Sequence, residues 1–235
     1  MIELRDRRRA LMMQQAAPEP IPYITDGLIF WLDGFTVASD DLWVDLVGGA
    51  RFTFHNTSKA AGGGMTFTGA ADSYGESTAT FPDAMTIEAA YSLLDTTVDA
   101  PIFGQNWPDV GDNNKPVLAL YRSSSASYQG IYVKYGTSST QYRRAALSPV
   151  EIVSAVRWIV DSRAVKNGVQ IAQTGSSYLS YPSGGITGSL LGNRGDNRLH
   201  GTLHSLRIYN RALTVAEMQA NQAIDNVRYD LGVIS

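Results

Sequence analysis

Apolar and polar residues alternate along most of this chain with a period of two, the pattern of strands that bury one face. In residues 27–33, GLIFWLD, positions Leu28, Phe30 and Leu32 oppose Ile29 and Trp31. Residues 152–161 set Val156, Trp158 and Val160 against Arg157 and Ile159. Runs at 43–46, 51–54, 65–67, 84–94, 100–104, 117–122, 130–135, 141–147, 165–172 and 186–192 read as further strands. Small and polar residues part them, as at Gly48-Gly49, Gly62-Gly63-Gly64, Ser123-Ser124-Ser125 and Ser138-Ser139. Asn167-Gly168 is the strongest hairpin signal, because both residues tolerate the positive φ that a two-residue turn needs. About a dozen short strands between regular turn signals predict an all-β fold, a two-sheet antiparallel sandwich.

The period changes at both ends. Residues 203–209 are a last strand, with His204, Leu206 and Ile208 on one face and Leu203, Ser205, Arg207 and Tyr209 on the other. Residues 210–212 turn the chain. Thr214 then caps a C-terminal helix, and Glu217 three residues on completes a capping box. Leu213 and Met218 are spaced as a hydrophobic staple. Ile224, Val227 and Leu231 continue an apolar stripe at helical spacing. At the other end, residues 1–16 read as a short helix or a solvated tail. Leu4 and Leu11 mark a thin seam that Arg8 interrupts, a place for attachment or for bundling of copies. Pro18, Pro20 and Pro22 stiffen the link that follows. The chain thus divides into an N-terminal helix and linker at 1–22 and a sandwich domain at 23–235.

The closing package GTLHSLRIYNRALTVAEMQAN, with GLIFWLDG, WVDLVGG, MTFTGAADSY and TIEAAYS in that order before it, resembles the laminin-G-like, concanavalin-A-like lectin jelly-roll domains. These occur in phage virion and bacterial surface proteins. The resemblance implies a jelly roll whose closing strand is central, with the helix at its edge. Relatives often hold a calcium ion. The family pattern places an acidic pair where this chain has His204 and Ser205, so that site is not implied here.

Composition narrows the partners. Of 235 residues, 44% are hydrophobic and 17% charged, as in ordinary globular domains, and the net charge of -3 gives no nucleic-acid footprint. Cysteine is absent, which excludes disulfides and thiolate metal sites. No apolar run is long enough to cross a membrane as a helix. The basic start MIELRDRRRALMM lacks the apolar core of a secretory signal. The expected location is therefore a virion released by lysis, or else the cell surface or exterior with a leader missing.

Catalytic patterns are sparse. Glycosidases pair two carboxylates across the sugar, and Glu88 stands alone on its strand. No GxSxG occurs, and His55, His200 and His204 suggest no triad. The expectation is that the chain is not an enzyme and needs no cofactor, with calcium at Asp109 and Asp112, beside Asn113 and Asn114, as the alternative. Sugars present apolar faces and hydroxyl rims, so aromatics beside polar groups mark candidate ligand sites. Trp107, Asp109 and Asn113 share one loop. Tyr121, Tyr132 and Tyr142 lie on successive strands, with Arg122 and Arg143 beside them. Tyr178, Tyr181, Arg194, Asp196, Asn197 and Arg198 cluster later. The expected function is a non-enzymatic structural or adhesion protein of a bacteriophage virion that displays a carbohydrate- or receptor-binding domain. The alternative is a secreted or surface bacterial carbohydrate-binding protein. Expected partners are a carbohydrate or cell-surface receptor, and other virion proteins or copies of itself through Leu4, Arg8 and Leu11. Neither nucleic acid nor membrane insertion is expected.

Overall fold

The computed structural model describes residues 22–81, 85–97, 100–105, 118–123, 130–135, 139–144, 148–157, 163–171, 173–174, 189–194 and 197–233. The expected N-terminal helix lies outside them. Two antiparallel sheets carry the described chain. The first orders β14 (Val169–Ile171), β13 (Ala164–Lys166), β12 (Val150–Arg157), β7 (Met85–Leu93), β19 (His200–Tyr209), β5 (Met65–Thr68) and β4 (Thr57–Lys59). Its β1 (Leu28–Asp33) pairs with the second half of β19, while β5 pairs with the first half. The second sheet orders β15 (Gln173–Thr174), β11 (Ser139–Arg144), β10 (Gly130–Tyr135), β9 (Leu118–Ser123), β8 (Ala100–Gln105), β16 (Ser189–Leu191), β6 (Tyr74–Ser77), β3 (Arg51–His55) and β2 (Leu42–Val44). A hairpin of β17 (Asn193–Arg194) and β18 (Asn197–Arg198) stands apart, and one helix, α1 (Val215–Arg228), closes the chain. This is the expected all-β sandwich with a C-terminal helix.

Phe30, Leu32, Trp43, Phe52, Phe54, Phe67, Ile87, Phe103, Leu191, Leu206 and Ile208 fill the space between the sheets. Alternation explains most of them. Arg51, Thr53 and His55 on β3 face out while Phe52 and Phe54 face in. The turn at Asn167-Gly168 forms as expected, with φ of 48° and 79° and with Val165 and Lys166 pairing Gln170 and Val169.

Two expectations fail. The alternation along β19 slips at His204, because Leu203 pairs with Tyr91 and Ser205 with the next residue, Ala90. His204 is therefore the extra residue of a β-bulge, which moves every later side chain to the other face. Leu203 joins Leu206 and Ile208 in the core, not Ser205 and Arg207. Gly64 permits the bulge: with φ of 113°, any Cβ there would stand 2.3 Å from the Leu203 carbonyl oxygen.

The second failure is the helix. Its capping box and the Leu213–Met218 staple form as expected. Yet α1 lies over β12, β13 and β7, across the outer face of the first sheet and not at its edge. Its buried residues are Met218, Asn221, Gln222 and Asp225, whereas Val227 is 81% exposed. Three of the four buried side chains are polar, so the apolar stripe misplaced the inward face.

Candidate functional site

The polar underside of α1 meets polar residues on the sheet below. Arg207 on β19 is fully buried and forks onto both carboxylate oxygens of Asp225, while its Nε donates to Glu88 Oε2 at 3.1 Å. Glu88 accepts further from Asn221 at 2.8 Å and from Ser154 at 2.8 Å. Gln222 donates to Ser154 Oγ and to the Val165 carbonyl. Tyr23 donates to Asp225, and Asn221 accepts from the Ile24 backbone. Burial is the largest influence on Glu88 and pushes its carboxyl up; Arg207 opposes this, and the Asp225 charge adds to it. Arg207 is held well above its ordinary value, because its two carboxylates outweigh the desolvation that opposes them. Each of these groups is bonded to another member of the cluster. They join helix, sheet and the start of the domain.

His204 is equally committed. Its Nδ1 donates to the Gly63 carbonyl at 2.7 Å, and Nε2 accepts from Ser92 Oγ at 2.8 Å. Burial lowers its pKa, so the imidazole stays neutral. Among the described residues, no three His, Asp or Glu side chains gather as a metal site.

The outer face of the second sheet is different. Register carries one face across it through Thr53, Glu76, Leu190, Gly104, Ala119, Lys134 and Thr140, each the Cα partner of the next. Glu76 is 52% exposed, so this face is the outer one. The parallel row through Phe54, Gly75, Leu191, Phe103, Leu120, Val133 and Gln141 holds the buried Phe54, Leu191 and Phe103, and it faces the core. Two residues along from Ala119, Lys134 and Thr140, the same alternation puts Tyr121, Tyr132 and Tyr142 on the outer face. Tyr132 is the direct partner of both others. Arg122, Ile131 and Arg143 form the next row, on the core-facing side. The two arginines expected beside the tyrosines thus occupy the opposite face. Lys134 and Arg144 share the tyrosine face instead. Sequence reading missed both, although each stands two residues from a named tyrosine. At the far end of this face, Tyr74 and His55 stack with ring centroids 4.5 Å apart, and His55 contacts Glu76 at 3.1 Å.

The position of Arg194 is on β17, in the hairpin that lies against β8, the strand beside β9. Trp107, Asp109, Asp112, Asn113 and Asp196 lie outside the described residues, as do Leu4, Arg8 and Leu11. No described helix is long and apolar enough to cross a membrane.

No protein-family model matches the chain, and no curated protein sequence matches it. Solved structures do. The Trypanosoma rangeli sialidase matches 97% of this chain at a TM-score of 0.64 and 15% identity. The same sialidase in complex with the inhibitor DANA matches 92% at 0.65 and 16% identity. The chain spans only 38% and 37% of those two chains. The Ruminococcus gnavus IT-sialidase CBM40 matches 59% of the chain at 0.47 and 16% identity. At these identities the sialidase likeness establishes the β-sandwich fold. It also corrects the expectation that the chain is not an enzyme. The structures matching nearly its full length are enzymes, of which the chain spans less than two fifths, so the sparse catalytic patterns of the sequence no longer carry that expectation.

Proposed function

We propose that the chain binds carbohydrate on the outer face of its second sheet, across Tyr121, Tyr132 and Tyr142. The register that makes Tyr132 the direct partner of both other tyrosines carries this reading. Adjacent strands stand about 4.8 Å apart, so the row spans roughly 10 Å. Tyrosine joins an apolar ring to a hydrogen-bonding hydroxyl, which suits the apolar face and hydroxyl rim of a sugar. The Trypanosoma rangeli sialidase, which shares the fold, was also solved in complex with sialic acid, which supports the same ligand class. In this reading the parent protein is a structural or adhesion component of a bacteriophage virion, attached through residues 1–22. That part rests on the basic run, the Leu4 and Leu11 seam and the proline-rich link.

A glycan array probed with the full chain tests the site. Binding should be saturable and should fall at least about tenfold in Tyr132→Ala. Undiminished binding by that variant would move the site elsewhere. Sugar released from a bound probe in the same incubation would add catalysis to the reading.

A further inference from the structure

The tyrosine row does not lie in neutral surroundings. Three rows of outer-face positions cross β9, β10 and β11. The first is Ala119, Lys134 and Thr140, the second is the three tyrosines, and the third is Ser123, Gly130 and Arg144. Register thus places Lys134 on β10 one row to one side of the tyrosines and Arg144 on β11 one row to the other. Two residues along a strand cover roughly 6.6 Å, so each is one row away from the tyrosines. The strands themselves, APIFGQ, LALYRS, GIYVKY, STQYRR and QT, contain no aspartate or glutamate. Among the described residues in register with this face, the acid is Glu76, four strands from Lys134, roughly 19 Å away. That exceeds the Debye length of about 8 Å at physiological salt, and Glu76 is already in contact with His55. The chain as a whole carries a net charge of -3, yet β9, β10 and β11 carry Arg122, Lys134, Arg143 and Arg144 and no acid.

We propose that the glycan taken by the tyrosine row is anionic, its carboxylate or sulfate groups met by Lys134 and Arg144 on either side. This rests on the tyrosine row being the sugar site, and adds the class of sugar. Arg144 offers a planar fork suited to a carboxylate or sulfate edge, and Lys134 a compact charge. Such pairs form at a solvated surface, so they select the ligand and weaken with salt.

The test uses the full chain on an array carrying oligogalacturonate, its carboxyl-reduced neutral form, lactose, sialyllactose and sulfated lactose. The acidic probes should bind about tenfold more tightly than their neutral counterparts. The preference should shrink as salt is raised. The double variant Lys134→Gln, Arg144→Gln, checked by thermal melting for an intact fold, should bind acidic and neutral forms equally. The carboxylate and sulfate arms show which anion fits. Equal binding of acidic and neutral probes by the wild-type chain overturns the proposal and leaves the tyrosine site standing, as does a preference that survives in the double variant. No binding to any probe, or binding that Tyr132→Ala leaves untouched, removes the tyrosine site and this proposal together.

Discussion

The two sheets treat their outer faces in opposite ways. The first places Glu88, Ser154 and Arg207 on its outer face and covers them with α1. The second places tyrosines flanked by cations on its outer face, and among the described residues no helix crosses it. The covered charges have lost water and survive because each donor and acceptor has a partner. Networks of this kind fix a unique arrangement more than they stabilise it. On the second sheet, exposed pairs such as His55 and Glu76 keep their water and contribute little to stability. The difference teaches that burial, not residue type, decides whether a polar cluster holds the fold or can serve binding.

That contrast can be broken at Arg207. Arg207→Met leaves Glu88 and Asp225 buried without their counter-ion and should cost about 3–5 kcal/mol, read by urea melting. A cost below about 1 kcal/mol would mean that the covered network is no more critical than the open face. The pH dependence gives an independent reading. The folded-state value of Glu88 lies above its ordinary 4.5, so its contribution is present at low pH and is lost as pH rises through the folded value. Glu88→Gln should flatten that decline.

Leu206 is the neighbour of Arg207 on β19 and faces the other way, into the core. Leu206→Ala should cost about 2–5 kcal/mol. Matching melts for the two neighbours would show that a buried charge and a buried methyl group are equally hard to remove. A neutral Leu206→Ala would contradict the inward face set by the bulge.

The helix cap ranks below both. Thr214→Ala should cost about 1 kcal/mol. Glu217, held down to about 2 chiefly by its hydrogen bonds from Arg211 and also by Thr214, stabilises above the ordinary value of 4.5 and loses this as pH falls toward 2. The acid limb should flatten in Glu217→Gln. The sign is opposite to that of Glu88, because the hydrogen bonds from Arg211 dominate at Glu217 and burial dominates at Glu88.

The smallest effect on stability belongs to the open face. Tyr132→Ala should change it by about 1 kcal/mol or less, the scale of a cross-strand pair. A core-sized loss would show that the row is packed and not displayed, and would erase the contrast between the faces.

Strands, the Asn167-Gly168 turn, the capping box and the staple were legible, because each depends on a local pattern of residues, the staple spanning five positions from Leu213 to Met218. The bulge at His204 was not. It is set by Gly64 and Leu203 meeting across sheet neighbours, which no local pattern records. Nor was the Glu88, Arg207 and Asp225 cluster. Its members are far apart in sequence, and Asn221, Gln222 and Asp225 read as a solvated helix face until a polar sheet is seen beneath them. The tyrosines could be named from the sequence, and alternation from Tyr142 already favours Arg144 over Arg143; what came only with the pairing is that Tyr132 is the direct partner of both other tyrosines.

The bonds from Tyr23 and Ile24 to α1 have a mechanical consequence. Tyr23 is held by Asp225, Ile24 by Asn221 through its backbone nitrogen and by Tyr209 through its carbonyl. Tension entering at residue 22 meets these three bonds first and passes next into β1, which lies antiparallel along β19. Pulled lengthwise, the β1–β19 ladder is loaded in shear, so its hydrogen bonds share the force instead of parting one after another. A ligand gripped on the second sheet would be strained against an anchor on the first, with the whole core between them as the spring.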